Sequence, residues 1–187
     1  MVGVLGFLMA YVFDWASLKQ LSVIKQLAGI AAVCLLGYAI VMVCISPAKL
    51  QLPIFTKPLG GCLLLIFLPL LVYSLFIEIP FRSTYAKRGF GKKLITVGTY
   101  ALVRHPGVIW LAFVFLSLIL LFPSTTLFLA AIAWLALDVI HVALQEKQFF
   151  IKMFPGYHYY QQQTPFLIPN RQSLSACLKT IKPQAKN

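Results

Sequence analysis

Apolar residues run along this chain in long blocks broken by short polar segments. A helix needs about 20 apolar residues to cross the hydrocarbon core of a bilayer. Three blocks reach that length, at about 27–46, 59–80 and 124–144. A fourth, at about 107–122, is shorter but uninterrupted, and only Phe122-Pro123-Ser124 parts it from the next. The spacing predicts a tight helical hairpin there, with Pro123 breaking one helix and Ser124 or Thr125 capping the other. Residues 1–13 are apolar but short, and predict either a tilted first span or a half-buried helix. The pattern therefore predicts an all-helical integral membrane bundle of four to five transmembrane helices. Residues 1–169 read as one membrane-embedded domain and 170–187 as a basic, disordered tail.

Composition gives the same solvent. The 187 residues are 60% hydrophobic and 11% charged, too little charge to cover a water-facing globule. With 16 Lys and Arg against 4 Asp and Glu the net charge is +12. In so apolar a chain this favours anionic lipid headgroups over nucleic acid as the partner. Under an alternating topology fourteen of the bases, in 14–26, 81–106 and beyond 144, fall on one side, and only Lys49 and Lys57 on the other. By the positive-inside rule the C-terminus is cytoplasmic, in a plasma or inner membrane or the endoplasmic reticulum. The first residues lack the basic region of a signal peptide, so membrane association is assigned to the spans. Cys34, Cys44, Cys62 and Cys177 have neither disulfide nor zinc spacing and read as small buried apolar side chains.

No P-loop, GxSxG or HExxH occurs, and Gly89-Phe90-Gly91 lacks the context of a dinucleotide fold. Three local features remain. Gly98 to Pro106 ends in Arg104-His105-Pro106, with Pro106 suited to a first helical turn and His105 to its cap. This is either an anion-binding helix start or an interfacial basic anchor. Asp138, His141 and Gln145 share one face of an apolar helix, with Glu146 on an adjoining face at the cytoplasmic end. That stripe is either a functional cluster or an Asp138 to His141 hydrogen bond that locks helices together. Asp14 reads as interfacial, and Glu78 as the end of a span. Last, Phe154-Pro155-Gly156-Tyr157-His158-Tyr159-Tyr160 and Thr164-Pro165-Phe166-Leu167-Ile168-Pro169 form either an aromatic belt or a lid over an adenine or a sulfonium.

In this order, TYALVRHP, a helical hairpin, a Glu ending the last span, FPGYxxY and TPFLIP resemble the integral membrane methyltransferases of the isoprenylcysteine carboxyl methyltransferase and phospholipid methyltransferase superfamily. The resemblance covers about 60–169. It implies S-adenosylmethionine at the cytoplasmic face and methyl transfer to a lipid-like or prenylated acceptor, carboxylate or amine. Carried over, it makes His105, Pro106, Tyr157, Tyr160 and Glu146 cofactor-binding, and Glu146 and Arg104 catalytic, with no metal. Val108 and Trp110 stand where the superfamily has Tyr and Gly, and Glu146 stands alone where it has two acids. The alternatives are a non-catalytic membrane protein keeping this fold as a lipid-binding or assembly module, and a haem or metal site at Asp138 and His141.

Overall fold

The computed structural model describes residues 1–79 and 94–181. Its helices are α1 (Val2–Leu18), α2 (Ser22–Cys44), α3 (Thr56–Glu78), α4 (Thr99–Leu102), α5 (Pro106–Leu121), α6 (Thr125–Met153), α7 (Tyr157–Gln163) and α8 (Arg171–Ile181). No strand occurs among the described residues; backbone in hydrocarbon has no water to pair with, and a helix satisfies it within one segment. By length and composition α2, α3 and α6 can each cross a membrane, and α1 and α5 are shorter apolar helices. α3 and α6 both loosen into π-helical turns near their ends, at Tyr73–Glu78 and Gln145–Phe150, each turn carrying a glutamate.

The helix limits follow local chemistry. Pro106 opens α5, with His105 at the N-cap. Ser124 caps α6 by accepting the N–H of Leu127 at 3.3 Å, as expected for the α5–α6 hairpin. The same turn is held from outside: Leu50 N–H donates to Pro123 O, and Thr125 N–H to Ala48 O. Small residues set the close approaches. At Gly60 on α3 a Cβ would lie 2.7 Å from Ser117 O and Leu121 N of α5, and at Gly3 on α1 it would strike the Trp134 ring of α6. Phe115, Leu127 and Ala131 form the core where α5 and α6 meet, with Ile40 and Val43 of α2 packed on it. Many large apolar side chains face outward, among them Val33, Leu65 and Ile132, as befits a bundle whose solvent is lipid.

Three expectations need correction. Cys34 and Cys62 are exposed, since helices apolar all round put small side chains on any face; only Cys177 is buried. Asp14 is 2% exposed, because α1 runs to Leu18 and packs its acid against α6. Residues 171–181 form a helix docked on α4, started by an Asn170 to Ser173 capping exchange. Arg82, Lys87, Arg88, Gly89, Gly91, Lys92, Lys93, Lys182 and Lys186 lie outside the described residues.

Candidate active site

Glu146 lies on the π-helical turn of α6 and is 6% exposed. The chain entering α5 brings Arg104 and His105 to it, and Gly156, at φ 83°, turns the chain so that α7 folds back over the same point. Five hydrogen bonds converge on the carboxylate. Oε1 accepts from Arg104 Nε at 2.7 Å and from the Tyr157 hydroxyl at 3.0 Å, and lies 2.8 Å from His105 Nε2. Oε2 accepts from Arg104 Nη2 at 3.1 Å and Gln161 Nε2 at 2.9 Å. Arg104 Nη1 donates to the carbonyls of Gln161 and Thr164 at 2.9 and 2.8 Å, and the Arg104 N–H to Pro165 O. The guanidinium thus clasps the carboxylate side-on while tying down the far end of α7.

Aromatic rings wall this knot. His105 stacks on Phe150 and meets Phe166 edge-on, and Arg104 lies over the Phe166 ring. The Tyr160 hydroxyl donates to Tyr100 O at 2.6 Å, and Tyr100 donates to Ser74 O at 3.1 Å. A chain of bonds therefore joins α7, α4 and the π-helical end of α3. There Glu78 accepts the Thr99 N–H at 2.7 Å and the Thr99 hydroxyl. Gly98, at φ 62°, lets the Glu78 carboxylate sit where a Cβ would be.

Burial sets the protonation states. It pushes the His105 pKa below its ordinary value, outweighing the pull of Glu146, so the ring is neutral near pH 7 and donates its Nε2 proton. Burial, helped by the Glu146 charge, pushes the Tyr157 phenol up; burial does the same for Tyr160. Both phenols stay protonated donors.

Beside the knot opens a cavity of about 670 Å³. One wall is Arg104, His105, Tyr157 and Tyr160; the rest is mainly apolar, from Phe7, Leu36, Leu71, Leu75, Leu111 and Phe115, with Asp138 and His141 at the α6 wall. Glu146 and Pro106 do not line it. Glu146 stands behind the wall and holds three of its members in place. Val108 does line the cavity, keeping it apolar where the resemblance would put a tyrosine.

The sequence profile of the phospholipid methyltransferase family matches residues 56–156, more than half of the chain. The chain belongs to that family. No curated protein and no solved structure matches it. This methyltransferase is an integral membrane protein, with Arg104, His105 and Glu146 inside the family segment and Tyr157, Tyr160 and Gln161 just beyond it.

A second buried carboxylate lies on the cavity wall, outside the family segment. Asp14 Oδ2 lies 3.2 Å from His141 Nε2 and accepts from Gln145 Nε2 at 2.8 Å. Lys25, 1% exposed, holds its ammonium over Phe13 nearby. His141 is paired with Asp14, a partner 127 positions away, where the stripe pattern offered Asp138. Among the described residues no group of three or more His, Cys, Asp or Glu side chains is placed to hold a metal ion. Sequence reasoning missed Asp14 and Gln161. Gln161 had a signal, since it falls four residues after Tyr157 on the same helix face. Asp14 had none, because its partners are on another helix.

Proposed function

We propose that the protein transfers a methyl group from S-adenosylmethionine to a lipid-like or prenylated acceptor, carboxylate or amine, at the cytoplasmic face of its membrane. The observation that carries this reading is the cavity, whose wall of Arg104, His105, Tyr157 and Tyr160 meets an apolar space between helices. The donor set suits the cofactor: the faces of Phe150, Phe154 and Tyr157 favour a sulfonium or an adenine, and Arg104 a carboxylate. Bound there, S-adenosylmethionine supplies a methyl group on a positively charged sulfur.

The protein's own part is alignment and exclusion of water, which an in-line displacement needs more than strong acid or base. His105, Tyr157 and Arg104 are held by one carboxylate, so Glu146 acts as a positioning residue. Leu71, Leu75, Leu111 and Phe115 favour an acyl or prenyl tail entering from the bilayer. A carboxylate acceptor arrives ionised, whereas an amine must lose a proton. The basic residues at the end of α6 and beyond it, Lys147, Lys152, Arg171 and Lys179, support an inside position for this end of the bundle, opposite Lys49 and Lys57.

Titration calorimetry of the detergent-purified protein with S-adenosylmethionine and its demethylated product tests the reading. Binding is expected, and His105→Ala weakens it at least tenfold, about 1.4 kcal/mol. Absence of heat from folded protein at millimolar cofactor overturns it in favour of a non-catalytic lipid-binding module.

A further inference from the structure

Helix α8 has two faces of opposite character. Ser173 and Cys177 are buried against the bundle, and Thr180 Oγ1 accepts the Gly98 N–H at 2.9 Å. At 100° per residue these three share one side of the helix. On the other side Arg171, Leu174, Ser175, Leu178 and Lys179 line a shallow groove of about 330 Å³. Leu174 and Leu178 are 50% and 58% exposed, although α8 is the most polar of the long helices. No acid occurs anywhere from 171 to 187.

The contacts of α8 fix its level in the bundle. It packs on α4, directly before the start of α5, so it lies at the end of the bundle where α5 begins and α3 and α6 end. In the orientation proposed above, which this inference takes over, that end stands at the level of the headgroups on the side of the candidate site. We propose that α8 lies in the headgroup layer of the anionic leaflet, with Leu174 and Leu178 in the acyl boundary and Arg171 and Lys179 on lipid phosphates. An amphipathic helix with leucines flanked by bases has this preference. Pairing with a second copy is disfavoured, because it would set two bases against two bases with no acid to offset them.

Docking in the leaflet has a consequence inside the protein. Thr180 holds Gly98, and Gly98 begins the segment that carries Tyr100 and leads to Arg104. A seated α8 therefore steadies the loop that forms one wall of the cavity. The docking itself does not depend on methyl transfer.

Hydrogen exchange of the full chain in nanodiscs tests this, comparing phosphatidylcholine alone with phosphatidylcholine plus phosphatidylserine. Amides of 171–181 are expected to gain roughly thirtyfold protection with the anionic lipid, in line with two basic residues near a charged surface. Raised salt and the Arg171→Gln/Lys179→Gln pair remove the gain, while Leu174→Ser/Leu178→Ser lowers protection in both lipids. All four positions lie away from the buried face, and unchanged exchange in α5 and α6 serves as the folding control. Protection indifferent to lipid charge and to both pairs overturns the proposal, as does protection that follows protein concentration, which would mark a protein interface. Cofactor calorimetry on the same samples reports separately on the methyltransferase reading.

Discussion

Glu146 and Asp14 are both buried carboxylates, and both are bound to α6 partners or sit on α6 itself, yet they are built in different ways. Glu146 collects donors from two pieces of chain, the Arg104-His105 turn and α7, which flank the α5–α6 hairpin that carries it. Backbone breaks at Pro106 and Gly156 aim those pieces at it. Asp14 has no such local machinery. It meets His141 and Gln145 only because α1 packs on α6, with Gly3 allowing the approach to Trp134. The first network is a motif that carries its own geometry; the second depends on how two apolar helices are docked.

Substitutions at the two acids test that contrast. Glu146→Ala is expected to have the largest effect, because it leaves the Arg104 guanidinium buried without its counter-ion, at about 3–5 kcal/mol. Thermal unfolding in detergent measures the loss, and α7 is expected to become susceptible to proteolysis. Asp14→Ala comes next, at about 1–3 kcal/mol, for removing the acceptor of Gln145 and the partner of His141. Hydrogen exchange is expected to rise in α1 with the Glu146 network intact, shown by unchanged protection in α7. If Asp14→Ala loosened α7 as much as Glu146→Ala does, the two networks would be one.

The smallest effect is in pH. Burial lowers the His105 pKa in the folded state, so between that value and the ordinary 6.5 the unfolded chain binds more protons. Stability from His105 is therefore complete above about pH 6.5 and falls as the pH drops through that window toward the folded value. Thermal unfolding from pH 7.5 to 5 is expected to show this decline, and His105→Gln to flatten it. A decline of equal size in His105→Gln would assign the sensitivity elsewhere.

Much of the fold was legible because it rests on length and punctuation. The apolar blocks, Pro123 between α5 and α6, Ser124 as cap and Pro106 at the first turn of α5 are local signals, and the structure follows them. The ordered motifs from Arg104 to Tyr160 also located the residues that gather at Glu146. The segment from 171 folds although its charge predicts disorder, because Asn170 and Ser173 form a capping exchange and Ser173 and Cys177 make a buried face.

By itself, then, the sequence determined the apolar surroundings, the long apolar helices and most of the residues that gather at Glu146. The tertiary structure decided that Glu146 stands behind the cavity wall, that His141 pairs with Asp14, and that α1 and α2 help enclose the cavity. The reason is physical. A helix that lies in lipid is apolar all round, so its pattern does not say which face turns inward or at what depth it meets its neighbour. Those choices come from close packing at positions such as Gly3 and Gly60 and from a few long-range polar bonds. Among the long described helices α8 differs, because it is polar enough for Ser173 and Cys177 to mark a buried side against exposed Leu174 and Leu178.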